Sequence, residues 1–493
     1  MDRRLYEKDC GAERKYDISN KRRQRVVRLP PITQGASGGR LMTARTVLTL
    51  FERRDYAISD LVAEIEPTAL QALEALLDAP RPPGQPEIIH LGRRTWSTSQ
   101  YVGIWKLGST TLQILPKVDR DTPLGSPVYG ATAASAATNL VRMLAIAEGT
   151  HLHSLDAATL AHGQGDWLEV FTTFWARHLQ QQLRRGPERH YVDHEDTLSF
   201  LRGRLLLAQQ LRKSAARAHL FDVNYVELTA NTPLNRILRT AVQRLSVGAR
   251  SSRNRALLAD LDGQLSEAPV IHAVEPGTFA QVHFNRLNEH LKPAFQLARL
   301  ILEACTPILR SGENASLAFV VNMDHLFEAF IAAVLRRHLP ALLPPTLDEI
   351  RLVTQSSGSS VHLLETEEIG APVLKLKPDL ELVTAGGQRW LIADTKYKRL
   401  NTSRTDLGLH QEDVYQILAY AARHRCSRLL LLFPRSADEP EVLQVFRQPQ
   451  TATRLVVATV DLGKPLDRLD SVTNALRQAI ALAGEVELTH DRS

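Results

Sequence analysis

The sequence predicts a mixed α/β core in its C-terminal third, a sheet flanked by helices, preceded by a small β-rich domain and a helical middle domain. Three observations carry that reading. After residue 312, apolar runs of strand length alternate with segments of helical spacing. Two of those runs flank a Gly-Gly turn, as in a hairpin. Before residue 312 lies a long region with apolar residues at three- and four-residue spacing. At 493 residues the chain is too long for one core, so several domains are expected. The divisions read as a basic tail over 1–41, a β-rich domain over 42–125, a helical domain over 126–311 and the α/β core over 312–493.

Composition narrows the function classes. Hydrophobic residues at 44% and charged residues at 23% suit a soluble globular protein, and no apolar run reaches the roughly 18 residues of a membrane span. The opening stretch is polar and arginine-rich, unlike a signal peptide. Cys10, Cys305 and Cys426 are far apart and form no C-x-x-C pair, which argues against structural zinc or a disulfide framework and suits the cytoplasm. Residues 1–41 hold eleven Lys/Arg against five Asp/Glu, so the net +6 sits wholly there and the remainder is balanced. That segment, with KRRQRVVR, PP and QGASGG, reads as a solvated tail or as a start-site extension before Met42, in preference to a DNA-gripping arm.

The elements follow in order. Leu61–Leu77 has helical spacing and ends at APRPPGQP. Strands are expected at Glu87–Leu91, Tyr101–Lys106 and Thr111–Leu115, with Gly108-Ser109 turning the last two, and the domain closes in DRDTPLGSPVYG. Helices are expected at Leu140–Ala147, Trp167–Leu183, Leu205–Arg212, Asn235–Leu245 and Phe284–Arg310, the fourth opened by Thr232-Pro233 as N-cap and first helical residue. Beyond 312 come a helix, Met323–Leu339, and strands at 350–354 and 361–365. The hairpin strands Val373–Val383 and Arg389–Tyr397 flank Ala385-Gly386-Gly387-Gln388. A helix at Glu412–Arg423, strands at Arg428–Phe433 and Arg454–Val460, and a helix at Leu466–Leu482 complete the chain.

Chemistry concentrates on the hairpin. A turn on Gly386-Gly387 sets Asp379 opposite Asp394, with Cβ atoms about 5 Å apart. Lys396, two residues on, shares the face of Asp394. Facing carboxylates repel unless a cation lies between them, and their oxygen donors suit Mg²⁺ or Mn²⁺. A lysine beside such an ion can orient water and stabilise charge on a phosphate. An isolated D-x-K is usually an ordinary surface tripeptide; Pro-Asp before the turn, D-T-K after it and the cross-strand pairing lift this one. Helix, two antiparallel strands, helix, strand resembles the PD-(D/E)xK nuclease core. Gln416 and Tyr420, spaced i, i+4 on one helix face, resemble the Q-x-x-x-Y motif of RecB-type nucleases, where the pair lies beside the metal and contacts the nucleic-acid backbone. In such relatives an acidic residue of the preceding helix completes the metal site, a part that falls here to Glu328 in MDHLFEAF.

Over about residues 90–435 the chain resembles the McrC family. The resemblance rests on YVGIWKLGSTTLQILPKV, FLRGRLLLAQQLR, YVELTANTPLNRIL, NMDHLFEAF, KPDLELV, LIADTKYK and DVYQILAYA, taken in that order. It implies a nuclease subunit of a modification-dependent restriction system, recruited by a hexameric McrB-like AAA+ GTPase. That partner reads methylated double-stranded DNA, and its GTP hydrolysis is stimulated by the N-terminal part of the subunit. It further implies catalysis by Asp379, Asp394, Lys396 and Gln416. Mg²⁺ or Mn²⁺ would sit on Glu328, Asp379, Asp394 and the Thr395 carbonyl, with Tyr420 as a DNA contact. No G-x-x-x-x-G-K-[ST] is present, so nucleotide hydrolysis falls to the partner. Arg202, Arg204, Arg212 and Lys213 are candidates for touching it. Two other readings stand beside this one, a stand-alone RecB-like repair nuclease and a non-catalytic adaptor of an AAA+ motor.

Overall fold

The first strand, β1 (Val47–Phe51), is followed by β2 (Asp55–Ala57), α1 (Ile58–Glu64), β3 (Ile89–Leu91), β4 (Thr95–Thr98), β5 (Tyr101–Leu107) and β6 (Thr110–Leu115). The computed structural model describes residues 47–484 except 66–69, 72–73, 75–86, 108–109, 118–126, 150–165, 273, 305–316, 345–346, 348, 355–360, 368–370 and 437. The basic tail, the APRPPGQP turn, the Gly108-Ser109 turn and most of DRDTPLGSPVYG lie outside the described residues. Alternation in VLTLF and TTLQIL puts Leu48, Leu50, Leu112 and Ile114 into one core with Trp96 and Trp105. β6 lies between β1, to which it is parallel, and β5, to which it is antiparallel. The strands β2, β4 and β3 form a separate small sheet.

The middle region opens with α2 (Pro127–Ala147) and α3 (Trp167–Leu183). Asp166 caps α3, its Oδ1 accepting from the backbone N–H of Leu168 and Glu169. The region expected to be mostly helical also contains a sheet. β7 (His190–Leu198), β8 (Arg204–Leu205) and β9 (Phe221–Thr229) pair antiparallel, with β9 in the centre. HYVDHEDTL carries few apolar residues and buries almost none of its length, so no period-two signal marks it. The helix expected over Leu205–Arg212 shrinks to one turn, α4 (Leu207–Gln210), because Leu207 and Leu211 stand in solvent with nothing to pack on. Helices α5 (Pro233–Gly248), α6 (Ser252–Gln264), α7 (Pro276–Ala280) and α8 (Lys292–Ala304) complete the region. Thr232 Oγ1 accepts from Asn235 N at 3.2 Å, with Pro233 in the first turn, as the sequence predicts.

Next comes β10 (Leu317–Asn322), which pairs antiparallel with β5 and closes the N-terminal sheet in the order β1-β6-β5-β10. It runs straight into α9 (Met323–Leu342), capped by Asn322, whose Oδ1 accepts from Asp324 N and His325 N. Then follow β11 (Arg351–Thr354), β12 (Val361–Glu365), β13 (Pro372–Leu376), β14 (Leu380–Val383), β15 (Arg389–Thr395), α10 (Gln411–His424), β16 (Arg428–Arg435), β17 (Leu443–Arg447), β18 (Arg454–Asp461) and α11 (Asp470–Gly484). Six of these strands form a mixed sheet in the order β11-β14-β15-β16-β18-β17, with β15, β16 and β18 mutually parallel.

Both faces of that sheet are covered. Leu391, Ala393, Leu430 and Leu432 face α9 and α11, while Ile392, Leu429, Leu431 and Phe433 face α10. This is why RLLLLF reads as an unbroken apolar run. Each such side chain contributes about 1.5–3 kcal/mol on burial. The described residues pack as one unit, and among them no helix is long and apolar enough to cross a membrane.

One polar contact ties the middle helices to this sheet. Asn139 of α2 donates from Nδ2 to Leu462 O at 2.9 Å and Lys464 O at 3.0 Å, and its Oδ1 accepts from Leu466 N at 3.3 Å. Asn139→Ala removes all three and leaves buried backbone groups unpaired, so a loss of about 2–4 kcal/mol is expected in urea unfolding. A change within experimental error would show that this contact does not hold α2 to the sheet.

Candidate active site

The hairpin of β14 and β15 keeps the register expected from its turn: Leu380 pairs with Ala393, Glu381 with Ile392 and Leu382 with Leu391. A bulge then sets Val383 opposite Arg389. Gly387, at φ 80°, supplies the left-handed turn residue. The single strand expected over Val373–Val383 is broken, however. Its first half, β13, pairs with β12 in a separate ribbon, and the break falls at Lys377-Pro378-Asp379. Pro378 has no N–H for a ladder and restricts the residue before it.

The break frees Asp379 from strand geometry. Its carboxylate does not simply face that of Asp394: Oδ2 accepts from Thr395 N at 2.7 Å and from Thr395 Oγ1 at 2.8 Å. Asp379 thereby caps the end of β15 and fixes the backbone between Asp394 and Lys396. Alternation along β15 turns Asp394 and Lys396 toward the α10 side, the side Ile392 occupies.

Lys396 Nζ lies 2.6 Å from Asp394 Oδ2, donates to Gln416 Oε1 at 2.9 Å and stands 3.9 Å from Asp413 Oδ1. The approach to Asp394 Oδ2 is an ion-pair contact without good hydrogen-bond direction, and that buried oxygen has no well-formed hydrogen bond. Gln416 Nε2 donates to Tyr420 Oη at 2.8 Å, and Tyr420 Oη donates to Lys377 O at 3.2 Å. The Q-x-x-x-Y pair therefore braces the lysine from one face of α10. Tyr420, read from the sequence as a nucleic-acid contact, is only 2% exposed and supports Gln416 instead. Asp413, one turn before Gln416, also holds Lys398 at 2.8 Å. Sequence reasoning missed Asp413, although its i, i+3 spacing to Gln416 was a usable signal.

The charges are unbalanced. Burial pushes the Asp394 carboxyl up to about 7, Asp379 pushes in the same direction, and Lys396 only partly offsets them. Burial likewise raises Glu328, on α9, to about 7, with Asp379 and then Asp394 adding to the shift. The structure thus brings Glu328 into the same electrostatic neighbourhood as the hairpin carboxylates. Burial works against the Lys396 ammonium, but Asp394, Asp379 and Asp413 hold it above the ordinary lysine value. Burial and then the charge of Asp394 push the Tyr420 phenol up to about 12.

An additional cation fits this surplus of buried carboxylates and the underserved Asp394 oxygen, and oxygen donors of this kind suit Mg²⁺ or Mn²⁺. The fit is one of charge and donor type: among the described residues no three His, Cys, Asp or Glu side chains already form a closed ligand set. Beside Glu328 runs an open cleft of about 500 Å³ lined by His325, Arg336, Thr354, Lys375 and Lys377. The two lysines come from the K-x-K-P-D stretch and were not singled out in the sequence. Of the residues considered for partner contact, Lys213 is locked to Asp222 at 2.7 Å, and Arg202 stacks on Tyr225 and pairs with Glu227. Arg204 and Arg212 are exposed.

A mixed sheet covered by helices on both faces, with carboxylates and a braced lysine at the end of a central strand, is consistent with a nuclease-like α/β core. The model of the family described as McrBC 5-methylcytosine restriction system component matches residues 97–434. That is well over half of the 493 residues, and the chain belongs to this family. A chain of the solved half-complex from the tetradecameric assembly of Thermococcus gammatolerans McrB AAA+ hexamers with bound McrC shares the fold. The TM-score is 0.61 at 23% identity, over 89% of this chain and 100% of that one. A chain of the T. gammatolerans McrBC complex solved by cryo-electron microscopy matches with TM-score 0.44 at 26% identity, over 60% of this chain and 88% of that one. No curated protein matches the chain.

The raised carboxyls make stability depend on pH. Glu328 and Asp394 keep protons in the folded chain where the unfolded chain has already released them, so their contribution falls as pH rises from the ordinary 3.8–4.5 to about 7. Asp394→Asn removes one such group. Without divalent metal, its effect relative to the parent chain should be more stabilising at about pH 7.5 than at about pH 5.5, measured by urea midpoints. An equal difference at both values would remove the case for an uncompensated Asp394.

Proposed function

We propose that this chain is a PD-(D/E)xK DNA endonuclease subunit that works in the cytoplasm with an McrB-like AAA+ GTPase hexamer. The observation that carries the proposal is the Lys396 ammonium, bracketed by Asp394 at 2.6 Å and Gln416 at 2.9 Å, with Asp379 closing the same strand end. Family membership and a fold shared with an assembly of McrB hexamers with bound McrC support the partner. The absence of a P-loop motif from this sequence supports leaving nucleotide hydrolysis to that partner.

Asp379, Asp394, the Thr395 carbonyl and Glu328 are the groups that would hold Mg²⁺ or Mn²⁺. Such an ion would supply Lewis-acid polarisation of the scissile phosphate and a lowered pKa for nearby water. The protein's own contribution is positioning. Lys396, held above the ordinary lysine value, stays an ammonium at neutral pH and acts as donor and counter-charge to the phosphate during in-line attack. Gln416, fixed by Tyr420, sets where that ammonium points. Asp379 fixes the Thr395 amide, and the bond from Lys396 N to Leu432 O at 2.9 Å holds the peptide plane that carries the Thr395 carbonyl. The basic wall of the cleft, Lys375, Lys377 and Arg336, suits the phosphates of a duplex.

The test is cleavage of methylated and unmethylated plasmid with Mg²⁺, by the chain alone and with the AAA+ protein and GTP. Cleavage is expected only of methylated plasmid and only with the partner. Asp379→Ala, Asp394→Ala and Lys396→Ala should each lower it by about 10²–10³-fold or more while leaving assembly with the partner intact by gel filtration. Robust cutting by the chain alone would favour an autonomous RecB-like nuclease. Full activity of the Asp394→Ala variant would reject this site.

A further inference from the structure

Tyr397 follows the proposed catalytic lysine directly, yet its side chain leaves the site and is buried elsewhere. Its hydroxyl donates to Glu52 Oε1 at 2.8 Å, across 345 residues of sequence. Glu52 follows β1 directly, is 1% exposed, and takes a second hydrogen bond on the same oxygen from Lys117 N at 3.2 Å. Its other oxygen, Oε2, is buried without a hydrogen bond, and Glu52 lines a cavity of about 370 Å³ together with Tyr397, Asn139 and Arg399. Burial raises the Glu52 carboxyl to about 7. A buried acid with one oxygen unserved is costly, so simple packing does not account for it.

The ring of Tyr397 makes a second contact. It packs tilted on Phe327 of α9, with ring centroids 5.7 Å apart, and Phe327 precedes Glu328. One side chain therefore touches the strand end that carries Lys396, the helix that carries Glu328, and the N-terminal sheet. Next to Glu52, Arg53 pairs with Asp324 of α9 at 3.3 Å, but that pair is partly exposed and adds little.

We propose that Tyr397, held by Glu52, is a positioning residue that fixes Lys396 and Glu328 relative to each other and makes their geometry depend on the N-terminal sheet. This rests on the cleavage reading given above. Glu52 presents a rigid acceptor because its backbone is itself fixed, Glu52 N donating to Leu115 O at 3.0 Å. Through Tyr397, a shift of β1 against β6 reaches the Lys396 backbone, which is otherwise held by its N–H donating to Leu432 O at 2.9 Å and its carbonyl accepting from Lys398 N at 2.8 Å.

The experiment uses the full chain with its AAA+ partner and GTP on methylated plasmid, comparing Tyr397→Phe, Glu52→Leu and Glu52→Gln with the parent. Tyr397→Phe keeps the ring on Phe327 and loses only the hydroxyl. Glu52→Gln keeps an acceptor for both donors. Tyr397→Phe and Glu52→Leu should lower kcat roughly ten- to a hundredfold with KM little changed, and Glu52→Gln should restore most of the rate. Combining Tyr397→Phe with Glu52→Leu should cost no more than either alone. Amide hydrogen exchange of the isolated chain gives a readout independent of cleavage. Residues 396–398 should exchange faster in Tyr397→Phe, while 429–433 stay protected.

Parent-like kcat and exchange in Tyr397→Phe would overturn the proposal. Exchange rising throughout the molecule would also overturn it, by reducing Tyr397 to general packing. If the parent cuts nothing under any condition, the cleavage reading fails, and exchange at 396–398 alone decides whether Glu52 and Tyr397 hold that segment.

Discussion

Asp394 sits 1% exposed at the end of a central strand, facing a lysine and surrounded by further carboxylates, and the site is organised around holding that charge. Alone, a buried carboxylate of this kind would take up a proton or pull the strand end apart. Here Lys396 answers part of the charge from 2.6 Å, while Asp379 spends its own carboxylate on the Thr395 amide and hydroxyl. Both acts pin the same three residues of backbone. The remaining imbalance is felt as far as Glu328 on α9.

A polar arrangement this strained needs a stiff frame. The frame is the parallel trio β15, β16 and β18, in which Leu429–Phe433 are buried on both faces between α9 and α11 on one side and α10 on the other. At about 1.5–3 kcal/mol for each large apolar side chain, this stretch alone outweighs the several kcal/mol that one poorly compensated carboxylate costs. The same layering decides which residues reach the site. Side chains of β15 alternate between a dry helical face and the α10 face, so Lys396 meets Gln416 whereas Ala393 meets the core.

The N-terminal sheet is part of this frame. β10 leaves the middle region, pairs along the whole of β5, and enters α9 through the Asn322 cap. The helix bearing Glu328 is thus anchored at its first residue to a sheet formed by the first hundred or so residues of sequence. The Glu52–Tyr397 bond makes a second crossing, at the strand end that carries Lys396.

The hairpin, its register and the gathering of Asp379, Asp394 and Lys396 at one strand end were legible in the sequence because they depend on contacts within about twenty residues. A Gly-Gly turn and a period of two suffice to fix which residues face one another, and the spacing of Gln416 and Tyr420 is likewise a local property of a helix. Trp167–Leu183 and the Thr232-Pro233 start were readable for the same reason. The strands β7 and β9 were not, since β7 buries none of its residues and β9 only the adjacent Asp222 and Val223, which gives no period of two. Nor were the break at Pro378, the pairing of β10 with β5, the turn of Tyr420 away from solvent, or the meeting of Glu52 with Tyr397. Those depend on which surfaces come together across hundreds of residues. Local patterning states only that a face will be covered, and the packing of the whole chain decides what covers it.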